Sequence, residues 1–497
     1  MNISGRKSGI LLHITSLPGG EQCGTLGEGA YRFVDFLVSA GMKLWQVLPT
    51  GPVGYGESPY QSAGSCAGSP LMIDLKMVHE AGMLPEYVPS APLETTACDF
   101  DAARADKDKW LRLAFAHEKD RLEKENAYAA WCARWPWLKD FAVFYALKEE
   151  HHLQSWLEWP ESALRLRTPE AMHAAEERLQ DEIRYIMFQQ YLFRTQWQAL
   201  HEYANAHGIM LLGDMPIYVA ADSADVWANA EYFQLDKDRY PERVAGVPPD
   251  YFSEDGQLWG NPLYRWSKLK KDNYSFWIKR LASMGELYDA VRIDHFIGFA
   301  NYYSIPYGAP NARGGKWIIG PGSDFFAAVK KQLPSLNIVA ENLGAVNDRV
   351  VRLLGYCGYP GMCVMQFGFD GGISNPHNPA SVVKNRVIYT GTHDNDTTLG
   401  WWQTRSEEEK AAIRLQLENE ELDDTTIVPA VALAAFDTVA ETAVLPLQDA
   451  LMLGSEFRMN TPGTLGAPNW QYRCRCSDLT PALAQTLREL NQRTDRL

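Results

Sequence analysis

Eight short apolar runs, each stopping at a glycine, a proline or a polar cluster, most narrow what this chain can become. They are SGILLHI (8–14), LWQVLPT (44–50), IMLLGDMPI (209–217), LYDAVRID (287–294), LNIVAENLG (336–344), MCVMQFGF (362–369), VIYTGTHD (387–394) and DALMLG (449–454). Runs rich in Val, Ile and Leu without polar alternation read as strands buried on both faces, the habit of a parallel sheet. Helical patterns lie between several of them, such as Phe33, Phe36, Leu37 and Ala40 before Gly41, or Val350, Val351, Leu353 and Leu354 before Gly355. Eight strand–helix units are what a (β/α)8 barrel requires. The expected fold class is therefore α/β, a TIM barrel with large insertions after strands 2 and 3.

Two gaps are too long for a simple crossover: about 160 residues between the second and third runs, and about 70 between the third and fourth. The first is expected to hold a helix-rich subdomain at about 76–205, with apolar residues at helical spacing. The second, about 218–275, is rich in Gly, Pro, Tyr and Trp and reads as a long ordered loop. A length of 497 residues ordinarily implies about three domains. No repeat, low-complexity tract or linker divides the chain, so residues 1–497 are expected to form one structural unit.

A formal charge of −15, from 47 basic and 62 acidic residues, argues against a nucleic-acid or anionic-membrane partner, because phosphate binding relies on clustered Lys and Arg. The expected partner is small and neutral. Sixteen Trp and 23 Tyr are many, and exposed rings serve as platforms for sugars, although any one Trp more often packs in the core. The start, MNISGRKSGILLHITSLPGG, breaks too early at Pro18-Gly19-Gly20 for a signal peptide, and no apolar run approaches membrane-spanning length. Eight scattered cysteines without zinc-type spacing read as reduced thiols of a cytoplasmic protein. No glycine-rich phosphate loop or calcium loop follows a strand, so no cofactor is expected.

The chemistry of a barrel lies where its strands stop. Three stops are carboxylates: Asp294, Glu341 and Asp394. Arg292, two residues before Asp294, shares its face on a strand and stands as a charge partner. Acids ending buried strands are costly unless paired or solvated in a cleft, and three at one mouth fit glycoside chemistry. A retaining glycosidase needs a carboxylate nucleophile and a carboxylic acid about 5–5.5 Å apart. A third acid can hold sugar hydroxyls. Helix capping explains any one of the three alone. Metal binding is the competing functional reading, because His13, His295 and His393 also end strands nearby.

Seven ordered motifs carry a specific resemblance: GESPYQSAGSCAGSP (56–70), LLGDMPIYVAADSADVW (211–227), VAGVPPDYFSEDGQLWGNPLY (244–264), VRIDHFIGF (291–299), VAENLG (339–344), TGTHDNDT (390–397) and RMNTPGT (458–464). Across nearly its full length the sequence resembles the amylomaltases or disproportionating enzymes, the 4-α-glucanotransferases of glycoside hydrolase family 77. The resemblance implies a barrel of the α-amylase clan that transfers segments of α-1,4-glucans to glucose or maltooligosaccharides. It makes Asp294 the nucleophile, Glu341 the general acid and base, and Asp394 the transition-state stabiliser. Arg292, His295 and His393 would contact the sugar at the cleavage site, supported by Asp214 and Tyr60. Gln257 and Trp259 would lie on a loop covering the cleft, and Ser58, Asp370 and Asn460 would bind further sugar units. The sequence departs from the family pattern at Asn342 and Ser69, where Asp and Asn are common. Asn342 has opposite strand parity to Glu341 and is expected to point away.

Two rivals stay open at this point: an α-amylase-like hydrolase, differing only in its acceptor, and a silent glucan-binding protein. The stretch 246–254 combines a glycine, two prolines and two adjacent aromatics, Tyr251 and Phe252. It is expected to form a stiff flap that stacks on sugar and sheds water, which favours transfer.

Overall fold

The computed structural model describes residues 5–54, 56–249 and 254–497. Eight parallel strands close into a barrel in the order β1-β12-β11-β10-β9-β6-β3-β2. They are β1 (Lys7–Leu11), β2 (Leu44–Gln46), β3 (Met210–Pro216), β6 (Ala290–Asp294), β9 (Asn337–Ala340), β10 (Gly361–Val364), β11 (Arg386–Tyr389) and β12 (Thr442–Pro446). Nearly every strand residue is buried, because side chains pointing inward fill the barrel and those pointing outward meet the helices.

Seven of the eight apolar runs contain or overlap a barrel strand; the last does not. The eighth strand is Thr442–Pro446, and the run at 449–454 instead overlaps a short helix, Leu447–Ala450. Pro446 explains the change: it lacks the N–H a ladder needs, so the strand ends on it. The TAVLP run was hidden because it follows the very apolar helix Ile427–Asp437 with only a short break between. Asp449, inside the misread run, is buried and accepts from Thr390 Oγ1 at 2.5 Å and Thr398 N at 2.7 Å.

The remaining strands form a second sheet that the sequence reading did not anticipate. It is antiparallel, in the order β5-β4-β7-β8, with β4 (Arg243–Val247), β5 (Gln257–Pro262), β7 (Asn301–Pro306) and β8 (Lys316–Ile319). Two of its strands come from the stretch read as a loop, and two follow β6. Alternate pairing across distant segments leaves little local periodicity to read.

Between β2 and β3 lie helices Phe100–Leu122, Asn126–Arg134, Leu138–Glu150, Pro169–Arg178 and Gln180–Ala206. The last packs on β3 and on the barrel helices Glu28–Ser39 and Ser275–Leu287, so it serves as the crossover helix that closes this β–α–β unit. Its Trp197 Nε1 donates to Leu287 O at 2.8 Å. Gln190 takes both backbone groups of Gly68, at 2.8 and 2.9 Å, and Gln196 does the same to Asp74, at 2.7 and 3.0 Å. One helix thereby grips the loop that follows β2 at two places.

Arg496 fastens the seam between β1 and β12. Its buried guanidinium donates to the carbonyls of Lys7 (2.9 Å), Phe436 (2.7 Å), Thr438 (3.3 Å), Ala440 (2.9 Å) and Glu441 (3.2 Å). No described helix is long and apolar enough to cross a membrane.

Candidate active site

β3 and β6 are neighbours in register, with Asp214 opposite Arg292 and Pro216 opposite Asp294. That pairing places a carboxylate on each side of one guanidinium. Arg292 Nη1 meets Asp214 Oδ2 at 2.6 Å and its Nη2 meets Asp294 Oδ1 at 3.0 Å. Its Nε donates to Met362 Sδ at 3.4 Å. A buried arginine would be costly alone, and two carboxylates with good geometry offset that penalty. Tyr60 OH donates to Asp214 Oδ2 at 2.8 Å, which brings the loop after β2 onto the same carboxylate. The Asp214 side chain is fully buried, whereas that of Asp294 is 30% exposed, so Asp294 is the one of the pair that faces the cleft.

Glu341 directly follows β9 and is buried. Its carboxylate accepts from His295 N at 2.7 Å and Leu343 N at 2.6 Å. Burial, reinforced by the charge of Asp294, pushes Glu341 up to about 7, against the opposing pull of Arg292 and the two backbone donors. A carboxyl group there holds a proton near neutral pH. Asn342 turns its amide oxygen to Met362 N at 2.8 Å, tying the end of β9 to β10. Ser69 is buried, and its N–H donates to Thr50 O at 2.8 Å.

His295 leaves β6 with φ +52°, a left-handed turn at the strand's end. Its ring meets Trp259 edge-on, centroids 4.9 Å apart, and burial pushes it down to about 4 despite Asp294. It is therefore a neutral hydrogen-bonding ring at neutral pH. Trp259 Nε1 donates to Gln257 Oε1 at 3.0 Å, so both residues of β5 reach this side of the cleft.

Asp394 lies five residues beyond the end of β11, on a turn and not on the strand as the run 387–394 implied. Thr392 starts that turn: its N–H and hydroxyl both donate to Asn395 Oδ1, at 2.9 and 2.8 Å. Asp394 Oδ1 accepts from Asn460 Nδ2 at 2.6 Å, and Oδ2 is 3.4 Å from His393 Nε2. Arg458 donates to the carbonyls of Asp394 (2.5 Å) and Asn460 (2.7 Å) and so fixes the two segments to each other. The His393 ring stacks on Tyr60, centroids 5.2 Å apart at 13°, with Trp470 against both.

Expected residues Asp214, Arg292, Asp294, His295 and Glu341 are thus joined by direct contacts, as are Tyr60, His393, Asp394 and Asn460. Ser58 Oγ accepts from Tyr60 N at 3.4 Å on the loop after β2. Among the described residues no contact brings Asp370 into this network; it accepts from Asn375 Nδ2 at 2.8 Å within its own loop. Tyr251 and Phe252, with the flap expected of them, lie outside the described residues. Arg458 and Trp470 were missed. Arg458 stands in the RMNTPGT motif beside Asn460, while the signal for Trp470, one Trp among sixteen, was too weak to single out. His13 is buried, pushed down to about 3 by burial and by His393, and its Nδ1 has no partner among the described residues. No three His, Cys, Asp or Glu side chains among the described residues are arranged to hold a metal ion.

The family model described as 4-alpha-glucanotransferase matches residues 12–479. The 4-alpha-glucanotransferase of Thermus thermophilus is 44% identical over 501 residues, covering 99% of each chain. That of Synechocystis sp. is 44% identical over 479 residues, covering 94% of each. Among solved structures, the amylomaltase from Streptococcus agalactiae in complex with acarbose superposes with a TM-score of 0.94 at 38% identity, covering 99% of each chain. A closed eight-stranded barrel, a three-acid mouth and likeness along the whole length agree, and the chain belongs to the 4-alpha-glucanotransferases, enzymes of the glycosyltransferase class.

Proposed function

We propose that this enzyme transfers segments of α-1,4-glucans to glucose or maltooligosaccharide acceptors by a retaining double displacement through a covalent ester on Asp294. The observation that carries this reading is the division between two neighbouring acids: Glu341 is pushed up to about 7, while Asp294 is ion-paired with Arg292 and partly exposed. Acid and nucleophile need such unlike settings.

Protonated Glu341 donates to the glycosidic oxygen as Asp294 attacks the anomeric carbon, and the reducing-end fragment leaves. The 4-hydroxyl of an acceptor then enters, Glu341 takes its proton, and attack on the ester restores the original configuration. Asp394, held by Asn460, accepts hydrogen bonds from ring hydroxyls as positive charge develops. His295, neutral beside Trp259, and His393, stacked on Tyr60, line the cleavage site. Gln257 and Trp259 are assigned to the loop covering the cleft, Tyr251 and Phe252 to the flap that stacks on sugar, and Ser58, Asp370 and Asn460 to further sugar units. No step needs a cofactor, and the proposed partners are glucans, not nucleic acid or membrane. Eight free thiols support a cytoplasmic setting.

Incubation with maltotriose alone tests the reading. Transfer yields glucose together with maltooligosaccharides longer than the starting sugar. If glucose and maltose were the sole products, the enzyme would be a hydrolase.

A further inference from the structure

Tyr60 and Asp214 come from different segments, and nothing in their 2.8 Å hydrogen bond explains what keeps the two segments in register. The alignment matters, because Asp214 Oδ2 takes both Tyr60 and Arg292 while its Oδ1 has no partner among the described residues. Behind this pair sits a second polar cluster. Asp225, in the short helix Ala224–Ala228, accepts from Ser65 N at 2.7 Å with Oδ2 and from Ser65 Oγ at 2.6 Å with Oδ1. The same Ser65 hydroxyl accepts from Arg280 Nε at 3.1 Å. Its one proton and an acceptor site are both used, so its orientation is determined from two sides. Arg280, only 2% exposed, goes on to Pro216 O at 3.0 Å and Tyr264 OH at 3.0 Å, with its guanidinium 4.5 Å from the Trp277 ring centre.

We propose that Arg280, Ser65 and Asp225 form a positioning relay that holds the Tyr60 hydroxyl on Asp214 and so sets the carboxylate that supports Arg292 at the cleavage site. One guanidinium grips β3 two residues past Asp214 and the loop five residues past Tyr60. Its buried charge is balanced through the Ser65 hydroxyl by Asp225, which makes all three members interdependent. Ala224 N also donates to Ala63 O at 2.8 Å, so the Asp225 helix holds the loop on both sides of Gly64. Tyr60, Ser65, Asp214 and Arg280 all border one partly open pocket, which puts Ser65 and Arg280 beside the pair they position. Displacing a supporting group by an ångström is enough to slow chemistry by up to about a hundred-fold.

The relay rests on the proposed place of Tyr60 and Asp214 at the cleavage site, and a double-mutant cycle separates the two ideas. Measured on maltotriose, Ser65→Ala should lower kcat/KM by about ten- to a hundred-fold in the parent. In the Tyr60→Phe background, where the hydrogen bond is already gone, it should change kcat/KM by less than about two-fold. Ser65→Thr, which keeps the hydroxyl, should recover most of the loss. Equal losses in both backgrounds, or no loss in the parent, would overturn the relay. A Tyr60→Phe enzyme as active as the parent would instead overturn the placing of Tyr60. Should Ser65→Ala melt below the assay temperature, the same cycle built on Asp225→Asn decides by the same criteria.

Discussion

Asp294 and Glu341 end adjacent barrel strands and face opposite demands, and single atoms test them. Asp294→Asn keeps the side chain's size while removing the nucleophile, so turnover should fall by about a thousand-fold or more with the fold and glucan binding retained. Near-normal activity would sink the assignment. Glu341 predicts the pH dependence. As the acid it must be protonated, and since its value lies near 7, kcat/KM should decline as pH rises through that value. Stability follows the same direction. A carboxyl whose folded value exceeds the usual 4.5 binds its proton more tightly when folded, so its contribution is complete below about 4.5 and lost as pH rises through about 7. Glu341→Gln never ionises. Its midpoint of unfolding relative to the parent should therefore shift in the variant's favour between pH 5 and 8, which thermal melts at the two pH values would show. The residues themselves were legible, because charged groups at the ends of apolar runs stand out in any sequence. Their environments were not: the turn at His295, which supplies a backbone donor to Glu341, depends on a left-handed residue that no spacing rule announces.

Whole elements were legible in proportion to how local their causes are. Seven barrel strands could be read because each is a buried run with its own stop, whereas the second sheet pairs β4 with β7 across some sixty residues. The glycine inside β3 shows how such distant packing writes itself into a strand. A Cβ on Gly213 would lie 2.2 Å from the Tyr288 ring, and that ring is pinned by its hydroxyl, 2.8 Å from Thr50 Oγ1. Gly213→Ala should thus force Tyr288 and β3 apart and destabilise the protein by about 1–3 kcal/mol, the usual penalty of overpacking. Because Asp214 is the next residue, activity should drop in the same variant. A melting temperature equal to the parent's would show that the ring moves freely. The helix Gln180–Ala206 was legible as a helix but not as part of the barrel, since only its contacts with β3 reveal that role.

At the scale of the molecule, the proposed mechanism gives every chemical role to side chains of this one chain. Exhaustive chelation followed by dialysis should leave the transfer rate unchanged. Loss of activity, restored by zinc or calcium, would revive a metal role for His13, His295 and His393. Closure of the barrel is a separate matter and is testable through Arg496. Removing a guanidinium that satisfies five carbonyls should cost about 3 kcal/mol or more. Arg496→Ala should consequently unfold at lower urea concentration, with a normal specific activity in what remains folded. An unchanged urea midpoint would mean that the seam is held by the strands alone.

The seam also sets a timetable for synthesis. Of the barrel strands β1 is made before the others, and its partner on one flank, β2, follows within a few dozen residues. Its other flank waits for β12 and then for Arg496. Throughout that interval the growing sheet is an open ribbon, and its two outer strands offer unpaired N–H and C=O groups to any neighbouring chain. Nascent chains stalled just after residue 440 should therefore be cut readily by protease and retained by chaperones, whereas chains extended past 496 and clear of the exit tunnel should resist cleavage. The ring of strands that shapes the mouth for a sugar can close only once β12, the last of its strands in sequence order, has been made.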